Sequence, residues 1–175
     1  MEHLKIPAER FKIIIKDGAK VVKDVEKATN TKIILDNNLC EVVIEAGADM
    51  KDPLLIWTAR DVIRAIGRGF KPKVAMGIIE AGYELRVLNL KEYIGKSKNA
   101  LTRIKGRVIG SRGKSKKAIG TLTDTDIVIY GKTVSIIGTY ENVYIAARAI
   151  VMLANGSMHG TVYGFIKHEM ENLVK

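Results

Sequence analysis

The chain has 175 residues, 47 % of them hydrophobic and 27 % charged, a globular mixture that excludes a disordered polymer and suits one medium domain or two small ones. No apolar run approaches the roughly 20 residues that span a bilayer, the opening Met1-Glu2-His3-Leu4-Lys5 does not begin a signal peptide, and a single cysteine excludes an internal disulfide. The net charge of +10 is concentrated: Lys91 to Gly120 holds ten basic residues and one acid, Glu92, a net of +9, as expected of a polyanion site.

Taken in chain order, a short strand is expected first, then an apolar helical turn over Arg10 to Ile15. A loop at Lys16-Asp17-Gly18-Ala19 leads to a helix from Lys20 to Thr29. Strands follow at Lys32 to Leu35 and Glu41 to Ile44, with Asn37-Asn38 turning between them. Cys40, in the apolar run Leu39 to Ile44, reads as a small buried side chain in a reducing compartment, so the chain is expected to be cytoplasmic. A longer helix runs from Pro53 to Gly67, with Asp52 as its cap. Gly69 and Pro72 then stop it.

Residues 71–97 read as a bridge, helical over Lys73 to Ala81 and strand-like over Tyr83 to Leu90. The bridge is too apolar for a floppy linker, so the flanking domains are expected to pack as one body. A basic strand precedes a second helical turn, Arg107 to Ile109, then a glycine loop and a helix from Lys114 to Thr123. Strands at Ile127 to Tyr130 and Thr133 to Ile137 meet at Gly131-Lys132. The closing helix, Asn142 to Asn155, aligns Ile145, Ala146, Ala149, Ile150 and Leu153 on one face. Val162 to Lys175 is a further helix.

The two halves are an imperfect duplication. Thr29-Asn30-Thr31-Lys32-Ile33-Ile34-Leu35 matches Thr123-Asp124-Thr125-Asp126-Ile127-Val128-Ile129 at an offset of 94. By Ala59-Arg60 against Ala147-Arg148 the offset is 88, so the first copy carries six extra residues around Gly47 to Asp52. Each copy reads β-α-α-β-β-α. The expected class is α+β: two type I KH domains, each with a three-stranded antiparallel sheet covered by helices on one face. The first spans 1–70 and the second 98–156, with 157–175 as a helical extension.

Val108-Ile109-Gly110-Ser111-Arg112-Gly113-Lys114 carries the chemistry. Two glycines without Cβ let a nucleic-acid backbone approach, and a helix beginning at Lys114 turns its amide end toward the loop. Arg112, Lys114, Lys116 and Lys117 add positive charge. A KH loop of this kind clamps about four nucleotides of single-stranded nucleic acid. The expected RNA-binding set is Arg107, Ile109, Gly110, Ser111, Arg112, Gly113, Lys114, Lys116, Lys117 and Ile129. The first copy lacks both glycines at the aligned positions, Lys16 and Ala19, and Asp17 opposes phosphate, so it reads as a scaffold with a weakened or lost grip.

The run Arg103 to Lys116 and the run Ile129-Tyr130-Gly131-Lys132-Thr133-Val134-Ser135-Ile136-Ile137-Gly138 resemble the second KH domain of the "partner of Nob" ribosome-assembly family. Leu88-Asn89-Leu90-Lys91-Glu92-Tyr93 and Gly156-Ser157-Met158-His159-Gly160-Thr161-Val162-Tyr163 fit the same family. The resemblance covers nearly the whole chain, at the compact length of an archaeal-type member. It implies binding to the 3′ region of small-subunit ribosomal RNA precursor, assistance to the Nob endonuclease, and a link to translation initiation factor two through its alpha subunit. Gly120 departs from the family, which usually has an acidic helix former there.

No enzyme constellation, cofactor motif or metal site is found. Gly95-Lys96-Ser97, Gly113-Lys114-Ser115 and Gly131-Lys132-Thr133 lack the glycine five residues upstream that a P-loop needs, having Leu90, Val108 and Asp126 instead. His3, His159 and His168 are scattered. Trp57 reads as a core or interface aromatic and Tyr130 as an ordinary strand tyrosine. The competing class is a protein-interaction adaptor built on KH folds, for which the basic stretch around the loop has little use. A solvated lysine face that only aids solubility is the bland reading of the charge.

Overall fold

The computed structural model describes residues 1–48, 50–93 and 99–174, the side chains of Asp17 and Gly18 excepted. Two compact units, Met1–Tyr83 and Glu84–Lys175, each carry a three-stranded antiparallel sheet packed with helices. The first contains β1 (Glu2–Lys5), α1 (Ala8–Thr29), β2 (Thr31–Asp36), β3 (Glu41–Ala46), α2 (Leu55–Gly67) and α3 (Pro72–Ala75), which continues as a 3-10 turn over Met76–Ile79. Its sheet order is β1-β3-β2. Along β3, Val42 and Ile44 are fully buried while Glu41, Val43 and Glu45 are partly exposed, the period-two pattern of a sheet with one covered face.

The second unit contains β4 (Tyr83–Asn89), a 3-10 turn at Leu90–Tyr93, α4 (Ala100–Ile109), a 3-10 turn at Ser111–Gly113, α5 (Lys114–Thr123), β5 (Asp126–Tyr130), β6 (Thr133–Thr139), α6 (Tyr140–Ala154) and α7 (His159–Leu173). Its sheet order is β4-β6-β5, and β5 pairs with β6 so that Ile127 faces Ile136 and Ile129 faces Val134. Val108, Ile119, Ile136, Ile150, Leu153 and Ile166 form the centre of its core.

The repeated Thr-Asn/Asp-Thr motif has a structural cause. Asn30 (φ 48°) and Asp124 (φ 49°) end α1 and α5 in the left-handed conformation, which these two residue types tolerate. Thr29 Oγ1 donates to Val25 O at 2.7 Å and lies 2.8 Å from Thr31 Oγ1. Thr123 Oγ1 repeats this with Ile119 O at 2.8 Å and Thr125 Oγ1 at 2.8 Å. The six extra residues of the first copy also have a place: residues 47–54 connect β3 to α2, whereas α6 follows β6 directly.

Several expectations are corrected. The basic stretch before the glycine loop is not a strand but α4, because Ala100, Ile104 and Val108 recur every four residues and bury one helical face. The first strand of the second sheet is β4, so 71–97 does not bridge two complete domains: the second unit begins at Glu84. Within that segment the helix runs only from Pro72 to Ala75 before tightening to 3-10.

In the first unit no loop separates two helices at residues 16–19. The helix α1 spans Ala8–Thr29 with a kink at Ala19, whose φ of 56° is left-handed. Lys16, which stands where the second copy has Gly110, lacks that glycine's access to positive φ, and the left-handed residue here is Ala19. The expected effect of the Asp17 carboxylate lies outside the described residues, as do Lys96, Lys98 and the triplet Gly95-Lys96-Ser97.

Cys40 is half-buried rather than buried. It closes the turn Asn37–Cys40 at φ 52°, where Asp36 Oδ1 accepts from the amides of Asn38 and Leu39 at 2.8 and 3.0 Å. The helix expected from Pro53 starts at Leu55, after Asp52 Oδ1 accepts the Leu54 amide at 2.9 Å. Trp57 is not a core residue: it is 54 % exposed, with the Arg60 guanidinium 4.7 Å from its ring.

Candidate nucleic-acid interface

The glycine loop links α4 to α5 by a conformation that only its own residues allow. Gly110 (φ 73°, ψ 171°) lies in a region open essentially to glycine alone. A Cβ there would sit 2.6 Å from Ser115 Cβ and 2.7 Å from Ser115 N, so Gly110 also lets the loop lie against the first turn of α5, where Ser115 is buried. Arg112 (φ 52°, ψ 31°) and Gly113 (φ 74°, ψ 11°) continue in left-handed backbone.

The two glycines do different work. A Cβ on Gly113 would meet nothing within 4 Å, so this glycine faces open space, which leaves room for a phosphodiester. The amides of Gly113 and Lys114 donate to Gly110 O and Ser111 O and are not free, a correction to the picture of an unpaired helix end. Ser111, Arg112 and Lys114 are exposed at the tip.

The structure separates the expected cations. Arg107 points inward: Nε donates to Leu153 O at 3.0 Å and Nη2 to Ser157 O at 2.6 Å, tying α4 to the end of α6. Arg10 repeats the device in the first unit, donating to Ile66 O at 2.8 Å and Phe70 O at 2.7 Å. His159 Nε2 lies 3.0 Å from Arg107 O, which absorbs one of the scattered histidines into the same joint. Replacing Arg107 by Ala is expected to cost about 2 kcal/mol of stability, since charge-assisted bonds to helix-end carbonyls are lost. In a salt titration of RNA binding this variant should keep the wild-type slope, whereas a phosphate ligand would lower it.

Lys114 and Lys117 are exposed and line a shallow groove on the α7 side of α5, with Ala118, Thr121, Leu122, Tyr163 and Lys167. Lys116 is half-buried. Ile109, at the end of α4, and Ile129, on the outer strand β5 and packed against the core, are both partly exposed. The sequence reading missed Tyr163 and Lys167. The only local signal for them is their spacing of four on a helix, and nothing in the sequence says which helix lies opposite.

At the turn between β5 and β6, Lys91 stands beside Lys132. As hydrogen-bond partner first and like charge second, it lowers the Lys132 pKa from the ordinary lysine value.

Gly120, the departure noted in the sequence, is a packing requirement. A Cβ there would lie 2.8 Å from Thr125 O, at the point where the chain reverses and the Thr125 amide donates to Gly120 O. At the aligned position of the first copy Glu26 instead accepts the Ile33 amide on Oε1 at 2.6 Å. Among the described residues no helix is long and apolar enough to cross a membrane, and no group of three or more His, Cys, Asp or Glu is placed to hold a metal.

A family model described as "Eukaryotic type KH-domain (KH-domain type I)" matches residues 84–171, beginning where the second unit begins. A KH domain-containing protein of Methanocaldococcus jannaschii is 40 % identical over 99 % of this chain and 75 % of its own length. A protein of Yarrowia lipolytica named a pre-rRNA-processing protein, PNO1, is 27 % identical over 93 % of this chain and 63 % of its own. The crystal structure of an a/eIF2alpha–aDim2p–rRNA complex from Pyrococcus horikoshii contains a similar chain. The two superpose with TM-score 0.89 at 38 % identity, over 98 % of this chain and 94 % of that one.

Proposed function

The chain belongs to the PNO1-type family of KH-domain ribosome-assembly proteins, and from that premise we propose that its second unit holds single-stranded ribosomal RNA near the 3′ end of the small-subunit precursor and assists processing of that end in the cytoplasm. The observation that carries this reading is the loop Gly110–Gly113. Its backbone is bare at Gly113, flanked by exposed Ser111, Arg112 and Lys114, and supported from beneath by the contact of Gly110 with Ser115.

The backbone grip comes from positive charge on a rigid turn, and the RNA bases lie toward Ile109 and the outer strand β5. The first unit, whose α1 runs through the equivalent position, takes no part in this grip. The Pyrococcus complex supports rRNA and the initiation-factor alpha subunit as ligands, and the family resemblance supports the Nob endonuclease as the protein that gains from the bound RNA.

Filter binding to oligonucleotides of the small-subunit rRNA 3′ end tests the reading. With about four phosphates contacted, log K against log salt should have a slope near −3, roughly a fifty-fold loss for a fourfold rise in salt. Binding that ignores salt would remove the electrostatic loop from the function and favour the adaptor class.

A further inference from the structure

We propose that the RNA path does not end at the glycine loop but continues along the groove between α5 and α7, where Tyr163 stacks a base and Lys167 meets a phosphate. This rests on the proposed function and extends its site beyond the loop and the β5 side of the fold.

The groove has the two components that sequence-tolerant single-strand binding needs. On α5, Lys114, Lys117, Ala118, Thr121 and Leu122 are spaced i, i+3, i+4, i+7 and i+8, a single helical stripe of roughly 12 Å from Lys114 to Leu122. Opposite them on α7, Tyr163 and Lys167 are one turn apart. Ala118, Leu122 and Tyr163 are each half-buried and give an apolar, partly aromatic floor, while the lysines are exposed. Bases stack on such a floor and phosphates follow such a rim.

Charge complementarity selects the occupant. From Lys114 to Thr123 α5 has no acid. On α7, Glu169 is engaged with Arg148 at 3.5 Å, and Glu171, exposed one turn beyond Lys167, is not part of the groove lining. None of Lys114, Lys117 and Lys167 has an ion-pair partner among the described residues. Lys114 also follows Gly113 directly, so an RNA chain leaving the loop is delivered to the head of the stripe without a gap.

The test compares a core oligonucleotide of about four nucleotides with the same core extended by roughly three on the 5′ or the 3′ side. Fluorescence anisotropy is measured for the wild-type chain, Lys167→Glu, Tyr163→Leu and the loop variant Ser111→Asp/Arg112→Asp. One of the two extensions should tighten wild-type binding. Lys167→Glu should abolish that gain, lower the salt slope for that oligonucleotide by about 0.7, and leave core affinity unchanged. Tyr163→Leu should weaken the same extended oligonucleotide but not one with abasic extension nucleotides.

The proposal is overturned if neither extension adds affinity, or if Lys167→Glu spares the extended RNA while the loop variant destroys binding. In that event the groove is left to an acidic protein segment. Should the loop variant retain full affinity for the core, the functional reading itself fails, and this extension with it. Tyr163 packs partly against the core, so thermal melting accompanies its variant. If that variant unfolds, exposed Lys167 alone decides.

Discussion

Ser111→Asp combined with Arg112→Asp is expected to lower affinity for single-stranded rRNA by at least about 100-fold while leaving thermal stability unchanged. The substitution removes one cation and adds two anions at the loop tip, where a phosphate would sit, and phosphate contacts supply most of the affinity of such a site. The fold should tolerate it because both side chains are exposed. Arg112 sits at φ 52° and ψ 31°, a conformation that aspartate adopts more readily than arginine. Filter binding together with a melting curve measures both quantities. Undiminished affinity in a folded double variant would take the loop out of the mechanism.

The second large effect separates the two glycines. Gly110→Ala should lose about 3 kcal/mol of stability, because it places a Cβ 2.7 Å from the Ser115 amide nitrogen in a backbone region closed to other residues. Gly113→Ala meets open space and bears only the left-handed backbone cost of about 1 kcal/mol. Its RNA affinity should nonetheless fall, since its methyl group occupies the approach of the phosphodiester. Urea unfolding paired with anisotropy would show stability lost chiefly at 110 and binding lost out of proportion to stability at 113. If the two variants behave alike, the glycines are interchangeable turn residues and the division of labour between packing and access is wrong.

Much of this was legible in the residues because it is decided within a few positions of the chain. The matching Thr29-Asn30-Thr31 and Thr123-Asp124-Thr125 runs revealed the duplication, and the structure adds that each ends a helix on a residue type that tolerates positive φ. The β5–β6 hairpin and the closing helix α6 follow from periodicity and turn chemistry. The glycine loop was visible for the same reason: its conformation is dictated by residues that lack a Cβ.

What went unread depends on partners far away in the chain. Arg107 looked like one more phosphate ligand until α4 was seen against the end of α6, with its hydrogen bonds spanning 46 and 50 residues. The strand β4 was recognised as strand-like but assigned to a bridge between domains, because its pairing with β6 skips the helices between them.

Sequence alone therefore determined the tandem α+β architecture, the concentration of charge and the loop at 110–113, since each is set by local backbone preference or by composition. Tertiary structure alone decided which cations face solvent, why position 120 has no side chain, and that Tyr163 and Lys167 lie across from Lys114 and Lys117. A charge's worth depends on what surrounds it, and those surroundings are assembled only when distant helices pack.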